Sequence, residues 1–139
     1  MQTFLQCPSV SHVIGVEYSK PRFQLAIKAL EQFTLRSPGF RLSVEGDGSR
    51  CLLEVSKVRP RVLEFRLGSF LSHDTISDEE FRKADAIFMQ VVLPHKAMPA
   101  IEDRLLQVKD GCKLFSLPDL LSTWNSNQAC PLRPWQGGS

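Results

Sequence analysis

His12-Val13-Ile14-Gly15-Val16 is an uninterrupted apolar run, closed by Glu17, and it leads at once into a helix-spaced pattern. Such a run suits a strand covered on both faces. Ser19 offers an N-cap, and Pro21 fits the first helical turn. Phe23, Ala26, Ile27, Leu30 and Phe33 recur at helical spacing, with Gln24, Lys28, Glu31 and Gln32 on the opposite face. Ser37-Pro38-Gly39 ends the helix. A buried strand followed by an amphipathic helix is the unit from which parallel sheets are built, and it directs the rest of the reading.

The alternation continues downstream. Leu63, Phe65 and Leu67 alternate with Glu64 and Arg66, the period of a strand. Gly68-Ser69-Phe70-Leu71 follows as an exit loop. Ser77-Asp78-Glu79-Glu80 has the form of a capping box opening a short helix. Ala86 to Leu93 is the most apolar run and reads as a central strand, stopped by Pro94. Pro99 opens a further helix, with Ile101, Leu105 and Val108 inward and Glu102, Asp103 and Arg104 outward. Asp110-Gly111 ends it, glycine being free to take positive φ. Cys112 to Leu117 is a last strand, and Leu120, Leu121 and Trp124 form a final apolar turn. Residues 40 to 60 leave two readings open: a hairpin around Gly46-Asp47-Gly48-Ser49, or a helical continuation over Cys51 to Val58.

The fold class that follows is α/β: a partial Rossmann-like, mainly parallel sheet with helices on both faces. Residues 1–124 form the domain. Residues 125–139, rich in Pro and Gly, read as a disordered tail. At 139 residues the length suits one domain. With 42% hydrophobic and 23% charged residues, the chain matches neither a disordered nor a collagen-like protein. No run approaches the ~18 apolar residues of a membrane span, and the start lacks the form of a secretory signal. A net charge of +2 gives no strong nucleic-acid signal. Lys57, Arg59, Arg61 and Arg66 read as a solvated basic face. Cys7, Cys51, Cys112 and Cys130, like the three histidines, are scattered. Reduced thiols, no metal site and an intracellular location, cytoplasmic or nuclear, follow.

Ligands of parallel sheets bind beyond the carboxyl ends of the strands. Glu17, Ser69, Phe70 and Gln90 stand at such ends. The two oxygens of Glu17 can each take one ribose O–H, or the carboxylate can simply cap the following helix. Phe70 can stack on a base or belong to the core. Ser69 can donate or accept beside the same base. Gln90 interrupts an apolar strand, so its amide must bond either a ligand or backbone. Asp85 reads as a polar strand entry, and Lys109-Asp110-Gly111 as a plain turn. There is no Walker loop, zinc motif or Ser/His/Asp arrangement, and no Gly-x-Gly-x-x-Gly.

Several stretches together resemble the class I S-adenosylmethionine-dependent methyltransferases. Val13-Ile14-Gly15-Val16-Glu17-Tyr18-Ser19-Lys20-Pro21-Arg22 is similar to their second strand and its helix start. Within them, the histone lysine methyltransferases named for disruption of telomeric silencing are the nearest likeness. Leu63 to Ser72 resembles a strand ending in Gly-Asp-Phe, Ala84 to Gln90 a strand leading to an Asn pair, and Glu102 to Ser116 a helix, turn and final strand. The resemblance implies S-adenosylmethionine as cofactor and a histone or other protein as substrate. It places Glu17 on the ribose, Phe70 on the adenine, Ser69 where the family's acid meets the adenine amino group, and Gln90 with Val91 at the Asn pair. It also implies a first strand and glycine-rich loop about 20 residues before Glu17. Only sixteen residues precede Glu17, and Gly15 is their one glycine. The expectation is therefore a truncated or inactive methyltransferase domain, or a non-catalytic interaction module of that fold. A dinucleotide-binding domain, which also sets an acid on a ribose, ranks behind both.

Overall fold

The computed structural model describes residues 2–55, 59–91, 94–117, 119–124 and 129–134. The chain divides into two compact units, Met1–Thr75 and Ile76–Ser139. It is mixed α/β.

The first unit opens with helix α1, Gln2–Gln6, and then strand β1, His12–Glu17. Helix α2, Lys20–Arg36, follows the predicted spacing and buries Phe23 and Leu30. Strands β2, Phe40–Val44, and β3, Arg50–Val55, form the hairpin, which settles the two open readings of this segment. The turn between them is closed by Gly48 N–H donating to the Glu45 carbonyl at 2.7 Å, with Gly48 at φ +72°. Asp47 accepts from the backbone and hydroxyl of Ser49, an Asx-type turn. Strand β4, Arg61–Leu67, completes a sheet of order β1-β4-β3-β2. Only β1 and β4 are parallel; β3 is antiparallel to both its neighbours. The mainly parallel Rossmann-like sheet is therefore corrected to a mixed one. The cause is the two-residue-period hairpin, whose short turn can only return the chain antiparallel.

One face of this sheet carries the core. Leu53, Val55 and Leu63 pack with Phe4 of α1 and with Phe23 and Leu30 of α2, and Val13, Leu42 and Phe65 border them. Both helices thus feed one face, where helices on both faces were expected. The alternate residues of β4, Val62, Glu64 and Arg66, turn to the other face, as strand pleating requires.

The second unit contains helix α3, Asp78–Lys83, strand β5, Ala86–Met89, helix α4, Met98–Leu105, strand β6, Lys113–Ser116, and helix α5, Leu120–Thr123. The expected capping box is present: the Ser77 side chain accepts from Glu80 N–H, and the Glu80 side chain accepts from Ser77 N–H. Strands β5 and β6 pair in parallel as a separate two-stranded sheet. The most apolar run is therefore no central strand; it is shorter than expected, and Phe88 is exposed. Leu93 lies outside the described residues. Phe81, Met89, Met98, Ile101, Leu105 and Leu120 are buried.

Glu102 and Arg104 were expected outward and are buried instead. Arg104 Nη1 lies 2.5 Å from Asp78 Oδ1, Nη2 donates to the Ile76 carbonyl at 2.7 Å, and the guanidinium sits 4.6 Å from the Phe81 ring centroid. An arginine paired on this many sides tolerates burial that periodicity alone does not foresee. Of the predicted tail, residues 125–128 and 135–139 lie outside the described residues. No helix of the described residues is long and apolar enough to cross a membrane.

Candidate functional site at the carboxyl ends of β1 and β4

The parallel pair runs in register from His12 opposite Val62 to Glu17 opposite Leu67. Gly68 N–H then donates to the Glu17 carbonyl at 3.0 Å, so the chain leaves β4 directly beside the end of β1. Ser69 and Phe70 are the next two residues. This brings three of the four candidate residues, Glu17, Ser69 and Phe70, to one strand-end crest. Gln90 belongs to the second unit. It follows β5 and is exposed, so its amide has no burial to satisfy.

Glu17 is half-buried, and its Oε1 accepts from Ser19 N–H at 2.8 Å. The Ser19 side chain makes no cap bond, and the first turn of α2 has no acid of its own. Glu17 therefore supplies the negative charge that the helix start favours. A carboxylate has further acceptor capacity beyond this bond. Tyr18, next in the chain, is 82% exposed. Its sequence signal is only its place, an aromatic next to an acid at a strand end.

The exit loop is held by turns. The Ser69 hydroxyl accepts from Leu71 N–H at 3.2 Å, its carbonyl accepts from Ser72 N–H, and the Ser72 carbonyl accepts from Thr75 N–H. Arg66 Nη1 donates to the Thr75 carbonyl at 2.8 Å, which ties the loop's far end back to β4. A Cβ at Gly68 would stand 2.3 Å from Thr75 Oγ1, so glycine is required by this close return. At Gly15 an added Cβ would stand 2.9 Å from the Phe65 ring, which would have to shift to admit it. Phe70 is half-buried at the loop's start.

The other face of the same sheet holds a cluster that the sequence did not announce. Glu64 is 5% exposed. Its Oε1 meets His12 Nε2 at 2.7 Å, and its Oε2 accepts from Arg50 Nη2 at 2.6 Å and Arg66 Nη2 at 2.7 Å. Burial pushes the carboxyl up, but the Arg66 and Arg50 hydrogen bonds, the Arg66 charge and the His12 bond outweigh it and hold it below the ordinary glutamate value. The supposed basic face is thereby corrected. Arg66 is turned onto Glu64, and Arg61 donates to the Val10, Cys7 and Phe4 carbonyls with its guanidinium over the Phe4 ring. Arg59 is exposed, and Lys57 lies outside the described residues.

In the second unit Asp85 Oδ1 pairs with Lys109 Nζ at 2.5 Å, so the turn at Lys109 is anchored to the entry of β5. The four cysteines are free. Burial, then the Glu31 charge, pushes the Cys51 thiol up, which disfavours the reactive thiolate.

No family model matches the chain, and no curated protein matches it. A solved structure, a mutant large terminase ATPase domain from a Thermus phage, aligns with 84% of this chain and 52% of its own at 15% identity and a TM-score of 0.42. The chain spans about half the length of that domain. The methyltransferase resemblance is corrected: neither a family model nor a curated protein bears it out, and the sheet is mixed where the resemblance implies a mainly parallel one. The histone-methylating, truncated and methyltransferase-like interaction readings go with it. Physically, the resembling stretches share strand-then-loop patterning with many α/β chains, and here they build a mixed sheet and a separate parallel pair.

Proposed function

We propose that the chain binds a small molecule containing a nucleoside, at the crest formed by Glu17, Tyr18, Ser69 and Phe70. The observation that carries this reading is the Gly68-to-Glu17 hydrogen bond, which sets the β4 exit loop beside the carboxylate-bearing end of β1. Parallel strand ends of this kind are where α/β sheets take ligands. Glu17 accepts the ribose hydroxyls with the capacity that Ser19 N–H leaves. Tyr18 and Phe70 offer aromatic surface for the base, worth about 1–3 kcal/mol when a base stacks. The Ser69 hydroxyl, which accepts from Leu71 N–H, keeps its own proton to donate to a ring nitrogen. Gln90 has no part in this reading.

Calorimetric titration of the chain with adenosine tests it, with ATP and S-adenosylhomocysteine as further arms to separate a phosphate from a thioether extension. Saturable binding, weakened about tenfold or more in Glu17→Ala and less in Glu17→Gln, is expected. Glu17→Gln retains the acceptor for Ser19 N–H, so a loss confined to Ala would report helix capping rather than ligand. Absence of binding to all three by a folded chain, or equal binding by Glu17→Ala, overturns the reading.

A further inference from the structure

Arg66 lies in β4, and its side chain is 11% exposed. Its guanidinium serves two acceptors at once. Nε and Nη2 donate to Glu64 Oε2 at 3.0 and 2.7 Å, and Nη1 donates to the Thr75 carbonyl at 2.8 Å. From Thr75 the hydrogen bonds continue toward the strand end. Thr75 N–H donates to the Ser72 carbonyl at 3.1 Å, and Ser72 N–H to the Ser69 carbonyl at 3.0 Å. An unbroken chain of bonds therefore joins buried Glu64 to Ser69, the residue before Phe70. Gly68 N–H holds the loop's other end on the Glu17 carbonyl. The exit loop is thus closed at both ends, by backbone at Gly68 and by the Arg66 side chain at Thr75.

We propose that Arg66 is a positioning residue for the crest of Glu17, Tyr18, Ser69 and Phe70, acting through the exit loop and not on the ligand. The inference rests on the nucleoside-binding reading and assigns the placing of Ser69 and Phe70 to the Glu64 cluster. A guanidinium is planar and carries its donors in a fixed fork, so Nε and Nη2 can engage the carboxylate while Nη1 is aimed at the loop. A lysine ammonium is a compact point charge and cannot reproduce that geometry. The anchor is firm, because Glu64 is also bound by His12 and Arg50. A loop held in place beforehand lowers the ordering cost of binding, since Ser69 and Phe70 need not be fixed as the base docks.

Calorimetric titration with adenosine compares the parent with Arg66→Lys, Phe70→Ala, Glu17→Ala and the two double variants that add Arg66→Lys to each of the others. Arg66→Lys is expected to bind about tenfold more weakly, with an unchanged circular dichroism spectrum. Beside Phe70→Ala its cost should largely vanish, because the loop's main contact is already gone. Beside Glu17→Ala it should persist in full. A merely structural role would weaken both backgrounds alike. Hydrogen exchange at the Ser72 and Thr75 amides, read by NMR without ligand, is expected to quicken in Arg66→Lys. Should that variant not fold, Glu64→Gln, which leaves Arg66 a neutral acceptor, is expected to move both readouts the same way by less. A parent that binds no adenosine overturns the nucleoside reading, and the exchange data then still decide whether Arg66 holds the loop. Unchanged exchange, undiminished binding or an equal cost in both backgrounds, in a folded variant, overturns the proposal.

Discussion

His12 Nε2 lies 2.7 Å from Glu64 Oε1, although the two residues are 52 positions apart. The contact follows from the parallel register. His12 stands opposite Val62, which places Glu64 one pleat further along the neighbouring strand and on the same face. Arg50 reaches the same carboxylate from β3 and Arg66 from β4 itself. A single buried acid thus ties three strands together on the side opposite the apolar core.

Removing that acid takes the shared carboxylate from Arg66, which keeps the Thr75 carbonyl, and from Arg50, which keeps Glu45. Glu64→Ala is expected to destabilise the chain by about 3–5 kcal/mol, the cost of breaking a buried ion pair from one side. Urea unfolding measures it. A loss under about 1 kcal/mol would place the cluster among solvated surface pairs.

The same carboxylate sets a pH dependence. Its folded value is lowered from 4.5, so its contribution is present above that pH and is lost as pH falls through the lower folded value. Stability of the parent should therefore fall as the solution is acidified below pH 4.5. In Glu64→Gln that fall should be shallower. Thermal melts of both proteins across this acid range compare the slopes, and parallel slopes would contradict the assignment.

Gly68 and Thr75 are expected to behave as a coupled pair. Gly68→Ala puts a methyl 2.3 Å from Thr75 Oγ1 and 3.1 Å from its Cγ2, at a φ of +156°. The expected loss is about 1–3 kcal/mol, typical of overpacking. Thr75→Ala removes both clashing atoms, so the double variant should recover part of the loss. A double-mutant cycle checks this, and simple additivity would deny the contact.

The capping box of α3 should be measurable by itself. Ser77→Ala deletes the acceptor for Glu80 N–H at 3.2 Å and is expected to cost about 1 kcal/mol. Differential scanning calorimetry would register this as a fall in Tm of about 3–5 °C.

Much of the local structure was legible. The apolar run and the 3.6-residue spacing gave β1 and α2 nearly to the residue, and the Ser77–Glu80 spacing gave the α3 cap. These depend on neighbours within a few positions, which a sequence displays directly. The candidate crest was legible in part. Glu17, Ser69 and Phe70 were placed at strand ends, while Tyr18 was overlooked and Gln90 proved exposed. Glu102 and Arg104 are buried where periodicity set them outward, and for Arg104 the partners are Asp78 and the Ile76 carbonyl, more than twenty positions away.

The sequence by itself determined β1, α2, β4 and the α3 cap, because those patterns repeat over two to four residues; helix α1 and the hairpin over residues 40–55 came from the structure. Tertiary structure alone decided that β3 lies between β2 and β4 and that the parallel pairs fall in separate sheets. It also decided that Glu64 collects a histidine and two arginines and that β1 has β4 as its strand neighbour among the described residues. Each of these depends on which distant segment packs where, and backbone hydrogen bonds accept any strand of suitable geometry.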